Sequence, residues 1–268
     1  MSNKKIHLVV IDPQVDFCDP KGALYVTGAE NDMDRLSKMV DRLQNKLEDI
    51  HVTLDSHHTI HIAHPNFWKD EKGNRPNPFT MITAADVEKG IWTTAIPSHY
   101  KKALDYLKAL EAGKRYPHVI WNLHCLIGSP GHAVMPCLFE SLKRWEEKQF
   151  AVVDYVTKGS NVFTEHFSVV KAEVPDPKDV STHLNANFIQ TLEEADELVV
   201  AGEALSHCVC NSVKDVAASF SKPEYIQKIV LLTDATSSVT GFEKFGTDFV
   251  AEMTAKGMRL STTVDYLK

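Results

Sequence analysis

Glu197-Leu198-Val199-Val200-Ala201-Gly202-Glu203-Ala204-Leu205-Ser206-His207-Cys208-Val209 reads as a buried strand, a tight turn and the start of a helix. A short apolar, β-branched run closed by a glycine is a strand signal. Beyond Cys208, residues Val209, Val213, Val216, Ala217 and Phe220 fall on one helical face. Strand, turn and helix in succession are half of a βαβ unit. A cysteine near a helix N-terminus meets unpaired backbone N–H groups and the positive end of the helix dipole. Both favour the thiolate, which is the nucleophilic form. Cys208 is therefore the candidate nucleophile. The competing reading is a buried cysteine that acts as a small hydrophobe.

Working outward, the same alternation fills the chain. Ile6–Ile11 is apolar except for His7, as in a strand buried on both faces. Met33, Leu36, Met39, Val40, Leu43 and Leu47 recur at helical spacing, and His51–Leu54 is a second strand. Tyr100, Ala103, Leu104, Leu107 and Leu110 predict a helix stopped at Gly113. Strands are predicted at His118–Trp121, Phe150–Val156, Glu197–Ala201 and Lys228–Leu232, with an edge strand at Arg259–Thr263 and a last helix near Phe242–Ala255. This pattern implies an α/β fold with a doubly wound, mainly parallel six-stranded sheet and helices on both faces. Residues 1–268 read as a single domain. Its one irregularity is an insertion at about 64–117, whose first part is rich in Pro, Asn, Lys and Asp. Long loops of this kind often cover active sites, which makes it a candidate lid.

Composition narrows the function. The chain has 268 residues, 43% of them hydrophobic, enough for a sizeable core. A net charge of −7 with no Lys/Arg block argues against a nucleic-acid or membrane surface. No apolar stretch approaches the ~20 residues that span a bilayer. Five cysteines, an odd number without a CxxC pair, fit a reduced, cytoplasmic protein, as does the absence of a signal peptide in Met1-Ser2-Asn3-Lys4-Lys5. Cys18, Cys125, Cys137 and Cys210 are read as packing residues.

Each predicted strand ends in ionisable residues. The first ends at Asp12, the second at Asp55-Ser56-His57-His58, and the His118 strand near His124. The Phe150 strand ends in Thr157-Lys158-Gly159, and the Leu198 strand leads to Cys208. In a parallel sheet all of these share the rim where ligands bind. Singly, each has a bland explanation in a cap, a solvated cation or a surface histidine. Together they suit one reaction. Lys158 supplies positive charge to a thiolate, and Asp12 takes the thiol proton and later activates water. Asp55, His57 and His124 are a donor set for Zn²⁺, Fe²⁺ or Mn²⁺, with His61 as a possible fourth ligand. His58 and His64 compete for that assignment, since the chain has 13 histidines.

Four segments carry a family resemblance. Asp12-Pro13-Gln14-Val15-Asp16-Phe17 is similar to a D-x-Q-x-D-F motif, and Leu54-Asp55-Ser56-His57 with His61 to a metal loop. Trp121–Gly131 is similar to W-P-x-H-C-x-x-G-S/T-x-G, and Gly202–Val209 to a nucleophile loop, with Lys158-Gly159 between them in the expected order. The chain thus resembles the isochorismatase-like cysteine hydrolases, and among them the nicotinamidase (pyrazinamidase) branch. The resemblance implies a triad of Asp12, Lys158 and Cys208. It implies an oxyanion hole from the amides of Ala204 and Cys208, with a cis peptide between Glu203 and Ala204. It also implies one divalent metal on Asp55, His57 and His124 that holds a pyridine nitrogen, and a homo-oligomer. Phe17 is expected to pack on the substrate ring, with Trp68 or Phe67 as the opposite wall and His207 as a further wall. The expected reaction is hydrolysis of nicotinamide, a small-molecule amide, to nicotinate and ammonia. The alternatives are another small amide or related substrate in the same fold, and a non-catalytic scaffold. Asn122 where proline is common, His207 where an aromatic is common, Ser212 for threonine and the long 64–117 insertion depart from the pattern. They bear on the substrate rather than on the triad.

Overall fold

Four β-branched, apolar segments form the centre of one sheet because each can be buried on both faces only between helices, and two more polar segments close its edges. The computed structural model describes residues 4–268; Met1–Asn3, part of the stretch read for a signal peptide, lies outside them. In chain order the strands are β1 Ile6–Ile11, β2 Asp49–Asp55, β3 Trp68–Lys69, β4 Thr93–Thr94, β5 Asp154–Lys158, β6 Glu197–Gly202, β7 Ile229–Leu232 and β8 Arg259–Ser261. The helices are α1 Val15–Cys18, α2 Ala29–Leu43, α3 Ala84–Glu88, α4 Tyr100–Gly113, α5 Pro136–Gln149, α6 Ala186–Glu193, α7 Cys210–Ser219 and α8 Glu243–Ala255. The main sheet runs β5-β2-β1-β6-β7-β8, and β3 and β4 form a separate antiparallel ribbon. Every pairing in the main sheet is parallel.

The sheet is covered on both sides. Ile6, Leu8 and Val10 face α2 and α5, meeting Met33, Leu36, Met39, Leu138, Leu142 and Trp145. Val9 and Ile11 face α6, α7 and α8, meeting Leu192, Val213, Val216, Phe249 and Met253. This is the expected doubly wound, three-layer sandwich. No helix among the described residues is long and apolar enough to cross a membrane.

Register sets the functional rim. Ile11 pairs with Gly202 and Asp55 pairs with Lys158, so the carboxyl ends of β1, β6, β2 and β5 are level. Gly202 has φ of +108°, and a Cβ there would run into the Ile11 carbonyl. Only glycine turns the chain out of β6 at this close approach.

Local predictions failed at three places. His118–Trp121 is not a sheet strand: Val119 bridges to Met81, and the segment packs beside the insertion. A short apolar run looks the same in sequence whether it joins a ladder or is buried as extended chain. β5 begins at Asp154 rather than Phe150, which is fully exposed and ends α5 in a left-handed conformation. The helices α5 and α6 were not anticipated. The insertion has a packed interior of its own, in which Trp68, Phe67, Ile82, Tyr106, Leu107 and Leu110 are buried together.

Candidate active site

The rim gathers the strand-end residues. Thr53, on β2, receives the Asp12 N–H at 2.9 Å and donates its hydroxyl back to Asp12 Oδ1. Asp12 itself has φ of +42°, a left-handed conformation that aspartate tolerates better than most residues. Gln14 joins the two strand ends, donating to the Asp55 carbonyl at 2.8 Å and accepting the Asp55 N–H at 2.7 Å. Asp16 accepts the Cys125 N–H at 2.7 Å and so anchors the loop that carries His124. The polar residues of the Asp12–Phe17 motif are thus mostly the frame of the site.

Lys158 is the hub. Its Nζ lies 2.8 Å from Asp12 Oδ2, 3.1 Å from Asp55 Oδ1 and 3.6 Å from Cys208 Sγ, and it donates to the His166 carbonyl at 3.0 Å. Burial opposes its charge, but Asp12, Asp55 and Cys208 raise its pKa well above the ordinary lysine value. Burial raises the pKa of Asp12, against the pull of Lys158. Asp55 is buried too, yet His57 and Lys158 hold its carboxyl well below the usual range.

Cys208 lies in a π-helical turn, Leu205–Val209, that feeds α7. The helix start next to the cysteine was legible in sequence; its ionisation was not. Burial pushes the Cys208 thiol well above its ordinary pKa, against the nearby Lys158 charge. The helix terminus and ammonium do not offset desolvation, which favours the neutral thiol. The peptide Glu203–Ala204 is cis, as the resemblance implies.

Asp55, His57 and His124 offer ligand atoms that all lie within 4.8 Å of one another. His57 Nδ1 faces the Gly159 carbonyl at 3.0 Å, and His124 Nδ1 faces the Asn122 carbonyl at 2.7 Å. Carbonyls only accept, so each Nδ1 carries the hydrogen and each Nε2 is bare in the neutral ring. Those bare atoms point at Asp55 Oδ2 from 2.9 and 3.5 Å. Lone pairs converging on a carboxylate fit a cation, and the backbone carbonyls orient the rings as in known metal sites. The residues present fit a divalent ion. His61 is differently placed. Its Nδ1 accepts the Ala63 N–H and its Nε2 faces the Thr164 carbonyl, both at 3.2 Å, so both nitrogens are engaged. His64 is buried against His57 and His124, with ring centroids 5.3 and 5.4 Å away and neither nitrogen partnered among the described residues.

Beside Cys208 is a pocket lined mainly by apolar and aromatic groups. Phe17, His207, Ala204, Asp55 and His124 line it. Trp68 and Phe67 do not. Trp68 is fully buried in the interior of the insertion, where it donates to the Ile62 carbonyl, and Phe67 stacks on His99. Their apolar bulk completes that separate core instead of the cavity. The walls not anticipated include Trp121, Phe167, Leu24 and Glu165. Trp121 opens the Trp121–Gly131 motif, which was the available signal. It donates to Glu165 Oε1 at 2.9 Å. Burial, with the Asp55 charge, raises Glu165 to a pKa of about 8. Nothing in the local sequence marked Glu165 as a cavity residue. His207 stacks on Tyr116 and is held neutral by burial, with a pKa of about 4.

No family model matches the chain. It is 23% identical over 235 residues to the nicotinamidase of Saccharomyces cerevisiae, covering 87% of this chain and 88% of that one. Among solved structures, the nicotinamidase/pyrazinamidase of Acinetobacter baumannii superposes with a TM-score of 0.66 at 19% identity, over the full length of both chains. The pyrazinamidase of Pyrococcus horikoshii, solved in complex with zinc, gives 0.58 at 17% identity over 96% of this chain and 99% of that one. An isochorismatase-like hydrolase from Alkaliphilus metalliredigens gives 0.55 at 15% identity over 100% and 97%.

Proposed function

We propose that this chain, which has the isochorismatase-like fold shared with nicotinamidases and pyrazinamidases, is a cysteine amidohydrolase that converts nicotinamide to nicotinate and ammonia. One observation carries the reading: Lys158 Nζ contacts both Asp12 Oδ2 and Cys208 Sγ at the edge of an aromatic-lined cavity. Base, cation and nucleophile meet where a flat amide fits.

The chemistry follows from the burial. Cys208 rests as a thiol, and Asp12, with its raised pKa, accepts the thiol proton as Sγ bonds to the carboxamide carbon. Lys158 stays charged and balances the negative charge passing between sulfur and carboxylate. The amides of Ala204 and Cys208 hold the developing oxyanion, each worth about 3 kcal/mol in comparable sites. The C–N bond breaks, and the nitrogen leaves as ammonia with the proton held by Asp12. Asp12 then takes a proton from water as the water oxygen attacks the thioester. The C–S bond breaks, sulfur recovers its proton, and the carboxylic acid departs.

Asp55, His57 and His124 would hold one divalent ion, Zn²⁺ before Fe²⁺ or Mn²⁺. Bound there, the ion supplies a positive anchor for a heteroaromatic nitrogen. Phe17 and Trp121 present aromatic surface to the ring, and Glu165, neutral near pH 7, offers a hydrogen-bond donor. We read residues 1–268 as one domain in which 64–117 is an insertion.

Ammonia release from nicotinamide, with and without a chelator and beside Cys208→Ala, tests the reading. Release that is lost in the variant and on chelation supports it. No release from zinc-replete protein rejects nicotinamide as substrate.

A further inference from the structure

At the amino ends of the strands, opposite the carboxyl-end rim, His7 on β1 and Asp49 and His51 on β2 form a second group of converging ligands. Their register explains the meeting. His7 pairs with Asp49, and His51 pairs with Asp154 of β5, so all four side chains share one face near the amino ends of the strands. His51 Nε2 lies 3.2 Å from His7 Nδ1. His51 Nδ1 lies 2.9 Å from Asp154 Oδ2, and His7 Nε2 lies 3.6 Å from Asp49 Oδ2. The imidazoles are 4% and 3% exposed, whereas Asp49 and Asp154 are half-exposed. Phe188 of α6 closes the inner side with an edge contact to His51.

The two imidazoles meet nitrogen to nitrogen, which one shared ring hydrogen or a bound cation can satisfy. A hydrogen on His51 Nδ1 serves Asp154 and leaves Nε2 bare in the neutral ring. If His7 likewise serves Asp49 from Nε2, two lone pairs face each other across 3.2 Å. A ring hydrogen placed on His7 Nδ1 resolves this, and so does a metal ion bound to both nitrogens. The third donor favours the metal: His7, Asp49 and His51 each offer a ligand atom, all within 4.8 Å of one another, and Asp49 is on the solvent side. Two nitrogens bound to one tetrahedral zinc at about 2.0–2.1 Å stand roughly 3.3 Å apart, close to the separation here. Asp154 behind His51 supplies the carboxylate–histidine–metal arrangement that fixes such ligands.

We propose that His7, Asp49 and His51 bind a second Zn²⁺, oriented by Asp154 and completed by solvent, which ties β1, β2 and β5 together away from the catalytic rim. The site is independent of the proposed reaction.

Zinc counting tests it. The full chain is saturated with Zn²⁺, dialysed against metal-free buffer and analysed for zinc per chain by mass spectrometry. Asp49→Asn and His51→Gln are each expected to lose one zinc relative to the parent while still releasing ammonia from nicotinamide. His57→Ala, at the catalytic rim, is expected to lose a different one, and His57→Ala with Asp49→Asn to lose both. If Asp49→Asn and His51→Gln hold as much zinc as the parent, the histidines share a proton and the proposal is overturned. Asp49 is half-exposed and its replacement isosteric, so that variant decides the matter if His51→Gln does not fold. Failure of the rim site registers separately, as a normal count in His57→Ala.

Discussion

Lys158 Nζ lies 2.8 Å from Asp12 Oδ2, with neither side chain exposed to solvent. The same ammonium lies 3.1 Å from Asp55, so one cation neutralises two buried carboxylates. Removing one member of a buried ion pair leaves an uncompensated charge, at about 3–5 kcal/mol. Lys158→Met is expected to lower unfolding free energy by that order and to abolish turnover. Urea denaturation of metal-free protein checks the first half. A variant as stable as the parent would show that the carboxylates do not depend on this cation.

Cys208→Ala removes the attacking sulfur and little else. Turnover is expected to fall at least about a thousandfold, as for other nucleophile deletions. Calorimetric affinity for nicotinamide should change only a few-fold, because the cavity walls remain. Retained turnover would move the nucleophile elsewhere.

Gly159 leaves room for Asp55 and His57 by having no side chain. Its φ is +85°, and a Cβ would lie 2.6 Å from Asp55 Oδ1 and 2.9 Å from His57 Cε1. Its carbonyl also orients His57. Gly159→Ala should therefore weaken metal retention at the rim about 10–100-fold, the range for lost outer support. Competition with a chromophoric chelator measures this. Unchanged retention would show that Asp55 and His57 are not held by this contact.

His118 makes the fold acid-sensitive. It is fully buried between Trp68 and Tyr106, and burial lowers its pKa to about 4. The unfolded chain takes up this proton near pH 6.5, so between pH 6.5 and 4 the unfolded state binds more protons. The stability contributed by neutral His118 is present above pH 6.5 and lost as pH falls toward 4, up to about 3 kcal/mol. Denaturation at pH 7 and pH 4 should show a smaller loss in His118→Gln. An identical pH slope would mean that His118 does not set it.

Much of this site was legible because its signals are local. Asp12, Asp55, Lys158 and Cys208 end strands or follow their turns, and a parallel sheet brings such positions to one rim. His57 and His124 followed from ligand types near those ends. The walls were not legible. Trp68 and Trp121 are both large aromatics in the irregular middle of the chain. One donates to the Ile62 carbonyl in a separate core, while the other reaches Glu165 across 44 residues and lines the cavity.

The sequence by itself determined the alternation of strands and helices, the doubly wound parallel sheet and the identities of the rim residues. These depend on hydrophobic period, turn chemistry and strand ends, which act over a few residues. Only the tertiary structure decided that burial favours the Cys208 thiol, that both His61 nitrogens are engaged while those of His64 find no hydrogen-bond partner among the described residues, and that His7 meets His51. Those outcomes depend on desolvation and on contacts between distant segments. Both arise from packing, which the local pattern does not specify.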